Sequence, residues 1–192
     1  MIIKTLETAQ RRYKTVYADP PWYEHGGITR GANRHYDLMK TEEIMALPVG
    51  TLAHPDGCHL YLWATNNFLR DAFDVMAAWD FKYITTITWF KDSFGIGQYY
   101  RGTTEHCLFG RRGQPPYKII EGKRAQGVTG FVEARREHSV KPERMRRMIE
   151  LVSYEPRIEL FAREVRAGWD CWGHGVRAAA PVTFFRGKGI KN

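Results

Sequence analysis

Pro20 and Pro21 impose the strongest local constraint in this chain of 192 residues. A proline supplies no backbone N–H, so a sheet ladder cannot run through them. The residues before them, Val16-Tyr17-Ala18, are β-type. A strand over residues 13–18 is therefore predicted to stop at Asp19. Each residue before a proline is driven to extended backbone. That presents the Asp19 carboxylate and the Pro20 carbonyl at the strand's end, with the flat indole of Trp22 just beyond. Two readings fit. One is a strand-ending proline turn with a core tryptophan. The other is a clamp for a planar ligand bearing an amino group, made of two acceptors and a stacking surface.

Composition narrows the class. Hydrophobic content of 43% and aromatic content of 14% mark a folded chain rather than a disordered one. Its length suits a single domain, with a core at about 13–176 and a basic tail at 177–192. The formal charge of +8 favours a polyanionic partner such as nucleic acid. Cys58, Cys107 and Cys171 are far apart and form no Cys-x-x-Cys pair, so neither a zinc site nor a disulfide framework is indicated. This suits a reducing compartment. No stretch approaches the ~18 apolar residues of a membrane span, and no apolar signal core opens the chain. A soluble, cytoplasmic protein without metal is expected, monomeric or homodimeric.

Strands and helices alternate in the pattern. Residues 58–64 read as a central strand. Cap-type Thr65-Asn66-Asn67 lead into an amphipathic helix with Leu69, Ala72, Phe73, Met76 and Trp79 at helical spacing. Residues 83–90 are a β-branched strand, making a βαβ unit with parallel strands. Residues 104–109 form another strand, and residues 110–127 a basic, turn-rich connection. Residues 128–141 read as a charged loop. Pro142 opens a helix with Met145, Met148, Ile149 and Val152 inward and Arg144, Arg146 and Arg147 on the solvated face. Lys141 sits at that helix's start, where backbone N–H groups and the dipole favour an anion. A final strand carries Glu159. Long loops at 23–40 and 91–103 are rich in glycine, arginine and tyrosine, which suits a substrate-holding role.

Several ordered stretches carry a resemblance: Tyr17-Ala18-Asp19-Pro20-Pro21-Trp22, Tyr36-Asp37-Leu38-Met39, Leu60-Tyr61-Leu62-Trp63, Glu105-His106-Cys107-Leu108, Lys141-Pro142-Glu143, Ile158-Glu159-Leu160-Phe161-Ala162-Arg163 and Gly168-Trp169-Asp170. The chain resembles the seventy-kilodalton methyltransferase-A family, the messenger-RNA adenosine N(6)-methyltransferase-like proteins, and in its short length the phage and bacterial DNA adenine methyltransferases. The resemblance implies an α/β, Rossmann-like fold with permuted motif order and a mostly parallel central sheet. The cofactor it implies is S-adenosylmethionine. The strand at 157–162 bordering that cofactor comes last, and the catalytic motif comes first.

The resemblance also assigns residues. Asp19, Pro20, Pro21 and Trp22 are the implied catalytic set, acting on the exocyclic amino group of adenine. Lys141, Glu159, Phe161, Arg163 and His174 are the implied cofactor-binding set. Beside these, the loops and the charged stretch offer Tyr23, Arg30, Arg34, Tyr36, Tyr99, Arg101, His138 and Ser139 as the expected substrate-binding set. DNA is the expected substrate. RNA adenosine and a catalytically silent nucleic-acid-binding subunit are the alternatives.

Overall fold

The computed structural model describes residues 1–7, 9–23, 38–95, 99–135, 140–173 and 176. The expectations placed on Arg30, Arg34, Tyr36, His138, Ser139, His174 and the tail from 177 lie outside the described residues.

Strand β1 (Thr15–Ala18) is buried along its whole length. It pairs in parallel with β2 (Gly57–Ala64) on one side and with β8 (Arg157–Leu160) on the other. β9 (Asp170–Trp172) lies parallel beyond β8. Beyond β2 come β4 (Thr104–Gly113), then β3 (Lys82–Phe90), then β7 (Gly130–Val132). The described strands thus form a seven-stranded sheet in the order β7-β3-β4-β2-β1-β8-β9. The short strands β5 (Ile119–Ile120) and β6 (Lys123–Arg124) pair only with each other, as a hairpin apart from it. β4 runs antiparallel to both neighbours, while the other pairings of the large sheet are parallel. The mostly parallel α/β sheet is the one expected.

Alternation along the central strands feeds two cores. Val16, Leu60, Leu62, Ile158 and Leu160 point to one face, where α1 (Thr41–Met45) and α2 (Leu69–Ala78) bury Ile44, Ala72, Val75 and Met76. Tyr17, Tyr61 and Trp63 point to the other, where α3 (Glu143–Val152) buries Met145 and Ile149. A strand period of two and a helix period of 3.6 produce this arrangement from the pattern alone.

Four local expectations are corrected. β2 and β3 run the same way around α2, but β4 inserts between them, because the chain folds straight back after β3 and hydrogen-bonds along both. β4 does not stop at residue 109; Gly110 to Gly113 continue it by pairing with Leu60 to Gly57. Part of the charged stretch at 128–141 is strand β7, drawn out by pairing with the end of β3. The fourth concerns α3, for which Pro142 is the N-cap. Arg144 and Arg147 are exposed as expected, but Arg146 is buried with only 7% exposure. A carboxylate on the sheet beneath it supplies the reason.

Leu62, fully buried in β2, tests the core. Leu62→Ala removes packed methyl groups from the sheet's centre and should cost about 2–5 kcal/mol, read as a lower midpoint in urea unfolding.

Candidate active site

Because most strands are parallel, their carboxyl ends meet along one edge. Register places Ala18 beside Leu62 and Leu160, and Leu160 beside Trp172. Antiparallel β4 starts at the same edge, with His106 beside Ala64. Asp19, Phe161 and Gly173, each just past its strand, therefore share an edge with Glu105. In open α/β sheets this is the edge where ligands are held.

Four charges cluster there. Lys141 Nζ lies 2.8 Å from Asp19 Oδ1 and 3.2 Å from Glu105 Oε2. Lys91 Nζ lies 2.6 Å from Glu105 Oε1. Two carboxylates and two ammoniums balance, so the cluster is neutral when all are ionised. Burial opposes the charge on Lys141, but Asp19 and Glu105 outweigh it and hold its pKa above that of an ordinary lysine. Burial likewise works against ionising Glu105, and Lys141 and Lys91 outweigh it, holding that carboxyl below its ordinary value. Asp19 goes the other way: burial lifts its pKa and Lys141 offsets this only in part. Asp19 keeps 24% side-chain exposure against 14% for Lys141, so the carboxylate is the member of this pair more open to a ligand. Lys141 also sits over the Trp63 ring, 5.4 Å from its centroid, which adds cation–π attraction.

The proline motif forms a tight turn. The Trp22 N–H donates to the Pro20 carbonyl at 3.0 Å. The Met39 N–H donates to the Pro21 carbonyl at 2.8 Å, and the Tyr23 N–H to the Met39 carbonyl at 3.0 Å. The Trp22 indole donates to the Trp63 carbonyl at 3.1 Å. One of its faces stacks on Phe68, with centroids 5.4 Å apart and planes 15° from parallel. Turn and acceptor edge are thus one structure: the turn fixes the indole, and the carboxylate stands at its base.

The implied cofactor half lies beside it. Glu159, in register with Tyr17, accepts a hydrogen bond from Arg146. Phe161 takes a left-handed backbone with φ of 60° and packs edge-on against Trp172 at 5.3 Å. Gly173 leaves no room for a side chain: a Cβ there would lie 2.3 Å from the Ala162 carbonyl oxygen. The backbones of β8 and β9 therefore approach closely where the chain leaves the sheet. Arg163 is half-buried, and its charge acts on Asp19, so the two halves adjoin. A carboxylate on a parallel strand, a close backbone approach and an aromatic ring at the strand's end fit a nucleoside-bearing cofactor such as S-adenosylmethionine.

Other expected residues are less concentrated. Tyr23 is at the turn and partly exposed. Tyr99 is almost fully exposed, while Arg101 donates to the Gly95 carbonyl at 3.0 Å and covers the Phe94 ring. The anion expected at the start of α3 belongs to the chain itself. Glu133 accepts the N–H groups of Glu143 and Arg144, each at 3.2 Å, which matches charge to the dipole. Lys91 and Arg146 had no signal as site residues. Glu105 had one, an acid inside a β-pattern, but nothing in the sequence showed its partner.

Two expectations follow. Glu105 has a depressed pKa, so the stability it contributes is present above the ordinary carboxylate value of about 4.3 and lost as pH falls through the depressed one. Urea unfolding should show wild type ahead of Glu105→Gln at neutral pH, with the gap closing in acid. Gly173→Ala should destabilise the chain by about 1–3 kcal/mol through overpacking, seen as a lower Tm.

Comparison with known proteins places this geometry. Residues 13–175 match the MT-A70 family. The chain is 29% identical over 189 residues to the type II methyltransferase M.MunI of Mycoplasma sp, covering 85% of this chain and 78% of that protein. It is 31% identical to the N(6)-adenosine-methyltransferase MT-A70-like protein of Arabidopsis thaliana, covering 86% of this chain but 24% of the plant protein. It is 27% identical to the N6-methyladenosine RNA methyltransferase MTA1 of Cryphonectria parasitica, over 85% of this chain and 52% of the fungal one. The matched region thus spans most of the Mycoplasma protein and about half or less of these plant and fungal relatives. The match runs over most of the chain: it belongs to the MT-A70 family of S-adenosylmethionine-dependent methyltransferases.

Proposed function

We propose that this chain methylates the exocyclic N(6) amino group of adenine in DNA. The observation that carries the reading is the position of Asp19. Its carboxylate stands at the end of β1, partly open, one strand away from Glu159 on β8 and Phe161 just past it. An amino-group acceptor and a nucleoside-binding edge are therefore neighbours.

The chemistry follows from the nitrogen. Adenine's amino lone pair is delocalised into the ring, so the nitrogen is a poor nucleophile. Asp19 accepts one of its hydrogens, and the Pro20 carbonyl, which has a second lone pair beyond the one used by Trp22, accepts the other. Both bonds favour a tetrahedral nitrogen whose lone pair is free. The base stacks on the Trp22 face opposite Phe68. Lys141, Glu159, Phe161, Arg163 and His174 hold S-adenosylmethionine, which supplies an electrophilic methyl group on positively charged sulfur. Asp19 or water takes the proton that the nitrogen loses. Catalysis is then mostly positioning and electrostatics. In a duplex the base must first leave the stack, at a cost of a few kcal/mol. Loops 23–40 and 91–103, with Arg30, Arg34, Tyr36, Tyr99 and Arg101, together with Tyr23, His138 and Ser139, hold the strand.

DNA rather than RNA is favoured because the match covers 78% of the Mycoplasma type II methyltransferase but at most 52% of the adenosine and RNA methyltransferases above, which suits the compact DNA-methylating branch that the sequence resembles. The charge of +8 supports a polyanion of either kind. Labelled cofactor supplied with matched DNA and RNA oligonucleotides should label adenine in DNA. Label in RNA alone selects RNA as substrate, and no label in either supports a silent subunit.

Asp19→Ala should lower turnover at least about a hundredfold with an unchanged thermal melt; retained turnover refutes the role given to Asp19. The raised pKa of Asp19 also sets a pH dependence. An acceptor must be ionised, so turnover should fall as pH drops through a value above the ordinary aspartate value of about 3.9. A pH–rate profile whose acid limb lies at or below that value contradicts the assignment.

A further inference from the structure

α3 brings a second cation to the sheet, and the reaction outlined above gives it no task. The Arg146 side chain is 9% exposed and its guanidinium lies over the Tyr17 ring, 5.6 Å from the centroid. Nη2 donates to Glu159 Oε1 at 2.5 Å. Nη1 lies 3.8 Å from Glu143 Oε2, which also pairs with Arg166 at 3.2 Å. Burying a guanidinium is costly, and well-packed apolar residues often replace buried ion pairs without loss of stability. Met145 and Ile149 already supply the apolar contact of α3. The charge is therefore better explained by what it does to Glu159 than by helix packing.

Glu159 sits next to Leu160, the last residue of β8, on the face that α3 covers. A carboxylate near the end of a parallel strand is the usual acceptor for ribose hydroxyls. To accept, it must be ionised and correctly turned. Burial works against ionisation, with a smaller push from the like charge of Asp19, and the Glu159 carboxyl is held above its ordinary value. A planar guanidinium on Oε1 offsets this in part and restricts the carboxylate's rotation.

We propose that Arg146 is a positioning residue for the cofactor half of the site, holding the Glu159 carboxylate so that Oε2 accepts a ribose hydroxyl of S-adenosylmethionine. This rests on the methyltransferase reading and on Glu159 bordering the ribose. It does not involve Asp19 chemistry or the identity of the polynucleotide.

Calorimetric titration of the full chain with S-adenosylhomocysteine and its 2′-deoxy and 3′-deoxy ribose analogues tests it. Wild type should bind at least one deoxy analogue about tenfold more weakly than the parent compound. Arg146→Met should bind the parent about tenfold more weakly and lose most of its discrimination between parent and that analogue. Arg146→Lys, which keeps the charge without the fork, should fall between. A purely structural role would weaken all ligands equally and leave the discrimination intact; that result, or unchanged affinity for the parent, overturns the proposal. Should Arg146→Met not fold, Arg146→Gln takes its place in the same comparison, where retained discrimination again overturns the proposal. Absence of binding by wild type overturns the methyltransferase reading itself, and is distinguishable because it appears before any variant is compared.

Discussion

Two carboxylates on neighbouring parallel strands cannot both stay charged at a largely buried edge unless cations are delivered to them. Asp19 and Glu159 are such a pair. Each feels burial as a push toward the neutral form. One segment answers both needs. Lys141 precedes α3 and meets Asp19; Arg146 lies within α3 and meets Glu159. Each cation also rests over an aromatic ring, Lys141 on Trp63 and Arg146 on Tyr17. These rings are joined, since the Trp63 indole donates to the Tyr17 hydroxyl at 2.7 Å. The floor of the site is thus a hydrogen-bonded aromatic pair carrying two ion pairs.

This explains how the helix and the sheet depend on one another. α3 is docked by Met145 and Ile149, and that apolar contact sets where both cations fall. Its first turn is fixed by the Glu133 carboxylate, which comes from just past β7. β7 in turn pairs with the last residues of β3, and Lys91, just past that same end, reaches Glu105. A change in the edge strand would therefore reach the site through two routes: the seat of α3 and the partner of Glu105. Such coupling through packed elements holds charges in place more closely than flexible loops would.

Much of this is legible in the sequence. The strand at Val16 to Ala18, the amphipathic helix before β3 and the helix after Pro142 all follow from periodicity. Asp19 and Trp22 stand out because two prolines isolate them. Glu159 is visible as an acid in an apolar strand. Arg146 is not, since at helical spacing it falls beside Arg147 and reads as surface; what buries it is a carboxylate thirteen residues away in sequence. β7 is hidden likewise: Gly130-Phe131-Val132 is too short to declare itself without β3 beside it.

By itself, the sequence determined where β1 must stop, which faces are apolar and which acids interrupt apolar runs. These are local properties, written in proline chemistry and in the periods of strand and helix. The tertiary structure alone decided that β4 enters between β2 and β3, that Lys141 pairs with Asp19, that Glu105 joins that pair, and that Arg146 meets Glu159. Those outcomes depend on strand pairing and helix docking between residues far apart in the chain, where electrostatic partners are chosen by position in space rather than by spacing in sequence.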